Sequence, residues 1–256
     1  MTWVEHKFED VPGFLRQVKR YPSGDWIYRG QPNVTWDLIP KAGRVDYFNR
    51  SWEKVHADWH MHWDLHRFET WRSQAVACSR ALPEDALECL AYAQHYGLAT
   101  RLLDWSRNPL VALYFAAETH FSENGAVFCY YSDKYVSPDN VDLLNAPELR
   151  DFVAQYNPRP IDPRLAAQDA VFTLHPKPED PLLPEPPLFD FNAQFLPDGV
   201  NLVRFLVPSN AKELILEELS GIAVHRKSLF PDLEGLSHFV NWQTRSCVES
   251  DNKGAQ

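Results

Sequence analysis

The segment Leu110-Val111-Ala112-Leu113-Tyr114-Phe115-Ala116-Ala117 is apolar on nearly every side. A helix of this kind has no face to offer water, so it belongs in a core and must be enclosed by other elements. Its start is marked. Asn108 is a good N-cap, and Pro109 suits the first helical position, where its missing N–H costs nothing. The fold therefore has to supply a shell around residues 108–117.

The rest of the chain offers candidates for that shell. Phe8, Val11, Leu15 and Val18 recur at helical spacing, so a helix is expected over 8–20. Asp25 to Arg29 reads as a short strand after the Tyr21-Pro22-Ser23-Gly24 break. Residues 51–80 hold neither Pro nor Gly and read as one long helix. A further helix is expected from a first turn at Pro83, with Gly97 as its stop. Gly125–Tyr131, Ala170–Leu174 and Asn201–Val207 read as apolar strands. Asn210 with Glu213 resembles a capping box for a helix ending near Gly221, and a last helix is expected from about Pro231. His175 to Pro187 contains six prolines, which exclude helix and central strand, so an exposed, partly extended connection is expected. Strands lie on both sides of it. Helices and strands alternate irregularly, which points to the α+β class with a small mixed or antiparallel sheet and surrounding helices. One domain is expected over 1–256, with a core of about 25–240 and a disordered tail from about 248.

Charge narrows the partners. The net charge is −10, so a broad basic face for nucleic acid is not expected, and an anionic ligand must be met by a few placed arginines. No run of about 18 apolar residues suggests a membrane span. The N-terminal stretch has no signal-peptide pattern, and Cys78, Cys89, Cys129 and Cys247 form no CxxC pair. A cytoplasmic protein with reduced thiols is the expectation.

Two polar constellations stand out. Tyr28-Arg29-Gly30-Gln31 ends a strand. There an Arg can present its planar fork to a phosphate, and a Gly can let a ligand approach the backbone. The second runs from Ala93 to Pro109. Gln94, His95, Thr100, Arg101, Asp104, Ser106, Arg107 and Asn108 fall within fifteen residues of it, in what reads as a loop between two apolar helices. Each has a structural alternative: a surface Arg paired with an acid in the first, and an Arg101–Asp104 pair with Asn108 as a cap in the second.

These stretches carry a resemblance. Tyr28-Arg29-Gly30-Gln31, then Trp36-Asp37-Leu38-Ile39-Pro40 and Arg44, resemble the opening of the FRG domain. Gln94-His95-Tyr96-Gly97-Leu98-Ala99-Thr100-Arg101-Leu102-Leu103-Asp104-Trp105 with Asn108-Pro109 is similar to that family's strongest motif. Ala99 departs from it, since Pro is usual there. Gln168 with Phe172, and Leu229-Phe230-Pro231-Asp232-Leu233-Glu234-Gly235, look like closing motifs; Ala170 stands where Gly is common. The motif order also resembles that of ADP-ribosyltransferases. The resemblance implies NAD as substrate, and a role in bacterial defence or a toxin system. Arg29 would anchor the pyrophosphate, and Thr100 or Ser106 would stand near the ribose. A carboxylate would stabilise an oxocarbenium-like state, with Glu234, Asp104 and Asp169 as candidates. Tyr28, Gly30, Gln31, Gln94, His95, Arg101, Trp105, Asn108 and Gln168 would line the nucleotide site.

Other chemistries find no positive pattern. No GxSxG, P-loop or GxGxxG stretch is present. The i,i+4 pairs His56/His60 and His62/His66 lack an HExxH pattern and project from different sides of one helix. Solvated histidines beside a Trp52/Val55/Trp59/Trp63 packing stripe are expected, without a metal. Two readings remain: an NAD-using transferase or glycohydrolase, and a non-catalytic module recognising a nucleotide or a protein.

Overall fold

A computed structural model describes residues 3–47, 63–79, 81–137, 152–160, 162–185, 196 and 198–253, with side chains to 244. The long-helix expectation over 51–80 is met from Trp63 to Ala75 (α2). The histidines at 56, 60 and 62, and the stripe before Trp63, lie outside the described residues.

Among the described residues, eight strands form one mixed sheet. They are β1 (Glu5–Lys7), β2 (Trp26–Gln31), β3 (Leu102–Ser106), β4 (Gly125–Tyr131), β5 (Tyr135–Val136), β6 (Ala154–Tyr156), β7 (Ala170–Leu174) and β8 (Leu202–Val207). Their order is β1-β8-β4-β2-β3-β7-β6-β5. The edge pairs β1/β8 and β5/β6 are parallel and the others antiparallel. The α+β expectation holds, and strands from both sides of the proline-rich stretch share the sheet. The helices, beside α2, are α1 (Val11–Val18), α3 (Ala86–His95), α4 (Pro109–Ala117), α5 (Pro163–Ala167), α6 (Lys212–Gly221), α7 (Arg226–Leu229) and α8 (Leu233–Lys253).

The apolar helix is α4, and it begins as its sequence dictates. The Asn108 side chain accepts from Leu110 N at 2.9 Å and Pro109 takes the first turn. It lies directly on the sheet because two strand residues have no side chain there. A Cβ on Gly30 would stand 1.9 Å from the Ala112 carbonyl oxygen, and one on Gly125 would stand 2.3 Å from that of Ala116. Gly30 is thus occupied by helix backbone, which corrects the expectation that it lets a ligand approach.

Residues directly opposite in paired strands share a face, so register sorts the core. Tyr28, Cys129 and Val203 pack with α1, α4 and α6 on one face. Leu102, Phe172 and Leu174 pack with α3 on the same face, farther along. Ile27, Leu103, Trp105 and Phe128 form a third cluster on the opposite face, closed by Leu38 and Leu182. The described part of the proline-rich stretch is therefore not simply exposed. Leu182 N donates to Leu38 O at 3.1 Å, and Pro178 packs where Gly43 leaves no room for a side chain. Prolines exclude it from helix and ladder, and its alternate apolar residues still cover the sheet.

Three boundaries differ from expectation. Pro83 precedes α3, which starts at Ala86 because the Asp85 carboxylate accepts from Leu87 N and Glu88 N at 2.9 and 2.8 Å. Asn210 does not cap α6; a 3₁₀ turn at Ser209–Ala211 leads into it and Ala211 caps without a side chain. Residues 102–106, read as loop, are the strand β3.

Candidate functional site

The strand β3 sits in the middle of the sheet, yet its centre is an exposed Asp. Its neighbours Leu102, Leu103, Trp105 and Ser106 are buried, whereas the Asp104 side chain is 65 % exposed. Acidic residues are depleted in strands, and a charge here has no packing purpose. It is solvated because the sheet opens beside it. β2 pairs with β4 along six residues and β3 with β7 along five, but β2 and β3 meet only at Tyr28 and Ser106. Beyond that pair the two central strands splay into a fork. On the helical face the fork lies between the two cores, one built on α4 and the other on α3.

Arg29 reaches the fork from the opposite face, the one it shares with its register partner Phe128. Its Nη1 donates to the Asp104 carbonyl oxygen at 2.6 Å and lies 3.7 Å from Asp104 Oδ2. The strand carbonyl that β2 no longer serves is thus satisfied by a side chain of β2. Among the described residues, the buried Arg29 Nε has no hydrogen-bond partner. Burial pushes the guanidinium pKa down to about 10, against the pull of Asp104 and aided by the nearby cation Arg44. It stays charged at neutral pH. Arg44 is held by a bond from its Nε to Ile39 O at 3.3 Å.

Asp104 is held from the other side. Gln94 Nε2 donates to Asp104 Oδ1 at 2.7 Å, and the Thr100 hydroxyl donates to Gln94 Oε1. Leu102 N donates to Thr100 Oγ1 at 3.1 Å. On the opposite face Trp105 Nε1 donates to Thr173 Oγ1 at 2.8 Å, and that hydroxyl lies 2.9 Å from His175 Nε2. The indole N–H can only donate, so Thr173 Oγ1 accepts from Trp105 and keeps one lone pair and its proton for the contact with His175. Burial, Arg29 and Arg101 together push the His175 pKa down to about 3. Nothing local in the sequence marked Thr173 and His175; register alone sets Thr173 opposite Leu103.

The remaining expected site residues have structural partners. Arg101 does not pair with Asp104. It is buried and forms a two-bond pair with Asp64, Nε to Oδ2 at 2.8 Å and Nη2 to Oδ1 at 2.7 Å. Tyr28 is fully buried beside Cys129, and burial raises its pKa. Gln31 is buried and donates to Asp37 O at 3.4 Å. His95 lies 3.2 Å from Asp162. Ser106 Oγ donates to Gln168 O at 2.6 Å and accepts from Asn108 N at 2.9 Å, and Gln168 Nε2 donates to Leu229 O at 3.1 Å. This polar knot ties the start of α4 to α7. Asp169 lies 3.9 Å from Arg107. Glu234, in the first turn of α8, is placed by Arg164 at 3.9 Å and His238 at 4.0 Å, in a cluster with Asp232 just before that helix. Of the three candidate carboxylates, the structure joins Asp104 to Arg29.

These features define a class: an α+β protein whose central sheet forks around an arginine–aspartate pair, between two helix-covered cores. The FRG domain family model matches residues 24–125. That stretch runs from β2 to the start of β4 and contains Arg29, Gln94, Thr100 and Asp104, while Thr173, His175, Gln168 and Glu234 lie beyond it. No curated protein and no solved structure matches the chain. Among the described residues, no helix is long and apolar enough to cross a membrane.

Proposed function

We propose that the gap over the β2–β3 fork binds NAD, or a nucleotide sharing its pyrophosphate and ribose, and that the chain transfers or hydrolyses its ADP-ribose part. The observation that carries this reading is Arg29. It is charged, mostly buried and backed by a second cation. Its nearest carboxylate lies outside hydrogen-bond range at 3.7 Å, so it retains donors for a phosphate. The exposed Asp104 beside it suits ribose hydroxyls. Cleavage then has a simple balance. The bond from the ribose to nicotinamide breaks, nicotinamide leaves with the bonding pair, and the acceptor oxygen or nitrogen attacks the same carbon and loses its proton. Asp104 stabilises the positive charge that develops on the sugar between these events. An effector role in bacterial defence or a toxin system would follow from such chemistry.

A second reading is favoured by the number of site residues spent on the frame. Arg101, Gln168 and Asn108 all brace the fold, as a binding module without turnover would allow. Calorimetric titration with NAD and ADP-ribose separates the readings when paired with an assay for nicotinamide release. Turnover that Arg29→Lys and Asp104→Asn abolish, in variants with unchanged thermal melting, supports the enzyme. Binding without release under all conditions supports the module. Wild-type protein that is folded and binds neither ligand refutes both forms of nucleotide recognition.

A further inference from the structure

The Asp104 carboxylate is on an exposed surface, where an Asp side chain would ordinarily sample several rotamers. Its setting removes that freedom through a chain of hydrogen bonds whose direction can be worked out. Leu102 N–H donates to Thr100 Oγ1, so the single hydroxyl proton of Thr100 is left for another acceptor. That acceptor is Gln94 Oε1. The Asp104 carboxylate can only accept, and this decides the orientation of the Gln94 amide: its oxygen faces Thr100 and its nitrogen faces Asp104, where Nε2 donates to Oδ1 at 2.7 Å. With Oδ1 engaged, Oδ2 is the oxygen turned toward Arg29, at 3.7 Å. Thr100 is buried, so the chain starts from a fixed point of the frame and ends on the exposed carboxylate.

We infer that Gln94 and Thr100 are positioning residues. They act through Asp104 to hold Oδ2 as a preorganised acceptor for a hydroxyl of a ligand whose anionic part is held by Arg29. This rests on the nucleotide reading above and sharpens it. The site should select ligands that carry a hydroxyl beside the phosphate over those that carry the phosphate alone. The energetic reason is preorganisation. A carboxylate already locked in one rotamer loses little freedom on binding, whereas a free one must be ordered by the ligand.

The test compares ADP-ribose with inorganic pyrophosphate, which offers phosphate charge without a hydroxyl-bearing sugar. Both are titrated into wild type, Thr100→Val, Thr100→Ser and Gln94→Met. Thr100→Val keeps the shape and deletes the hydroxyl; Gln94→Met changes a half-buried helix position and serves if the valine variant folds poorly. The expected result is a loss of about tenfold in ADP-ribose affinity in Thr100→Val and Gln94→Met, with pyrophosphate affinity unchanged and with Thr100→Ser close to wild type. Equal losses for both ligands would mean a purely structural role and would overturn the inference, as would no loss at all. A second readout does not depend on the ligand. The Gln94 side-chain amide protons, followed by NMR, should shift in Thr100→Val and stay in place in Thr100→Ser. If wild type binds neither ligand, the nucleotide reading fails while this signal still decides the relay: unchanged amide shifts in Thr100→Val would refute it.

Discussion

His175 makes the acid sensitivity of the fold calculable. The imidazole is buried against the Thr173 hydroxyl, 2.9 Å away, and it feels the positive charges of Arg29 and Arg101. Burial first, then the two charges, oppose its protonation, and its pKa falls from 6.5 to about 3. In the unfolded chain the ring takes up a proton near 6.5. Above that pH neither state binds it, and His175 contributes no pH dependence. Below it the unfolded state holds one more proton than the native state, so stability declines as pH falls. The slope is about 1.4 kcal/mol per pH unit, continuing until the native ring itself protonates near pH 3. Between pH 6.5 and 4.5 the loss from this one residue is about 3 kcal/mol, a large fraction of a typical domain's stability. The assay is urea unfolding from pH 7.5 to 4.5 for wild type and His175→Gln, whose amide can donate to or accept from Thr173 and does not titrate. The carboxylates, including the half-buried Glu118 whose pKa is raised by burial, titrate alike in both proteins and cancel. The stability of wild type relative to the variant should therefore fall by about 3 kcal/mol across that window. A difference that stays constant with pH would refute the reasoning, because it would mean that the native ring protonates as readily as a free one.

Other perturbations test the frame around the site. Gly30→Ala should destabilise by about 3 kcal/mol or more, since its Cβ would lie 1.9 Å from the Ala112 carbonyl oxygen and α4 would have to move; thermal melting reads this directly. Asp64→Asn should cost about 3–5 kcal/mol in urea unfolding, because it leaves the Arg101 charge buried without its counter-charge. Lys212 is fully buried and its Nζ donates to Pro32 O, Thr119 O and His120 O at 2.7, 2.9 and 2.9 Å. Lys212→Met orphans three carbonyls at once and should lower stability by about 2–4 kcal/mol, with hydrogen exchange rising first in the segment after α4.

Much of the frame was legible because it rests on local rules. Asn108 and Pro109 start α4, Gly97 at φ +92 stops α3, and the apolar strands at 125–131, 170–174 and 202–207 fall where expected. What failed was what depends on distant partners. Leu102 to Ser106 carries an Asp at its centre and no β-branched residue, so it reads as loop. It becomes a strand because Phe172 and Val171 pair with Asp104 and Trp105 across the sheet. Asp162 caps α5 through a single side chain, and Leu165 three residues on gives no capping-box mark; Asp85 does have Glu88 three residues on, so the start of α3 was readable there rather than at Pro83.

The arginines show the same division at the site itself. Arg29, Arg101 and Arg107 are equivalent in the sequence, each a cation inside a polar motif of an acidic chain. Their partners separate them, and every partner lies far along the chain. Arg101 is buried, matched by the two oxygens of Asp64, a residue 37 positions earlier, and donates from Nη1 to Pro176 O at 3.4 Å, so it is committed to the frame. Arg107 bonds Asn157 and lies near Asp169, at the turn that leads into β7. Arg29 alone of the three is set in the fork, with one strong bond to a strand carbonyl and a carboxylate beyond bonding distance. A net charge of −10 required that any anionic ligand be met by a few placed cations. Register and ion pairing reduce those candidates to Arg29 with Arg44 behind it, and the same register that opens the fork brings Asp104 beside them.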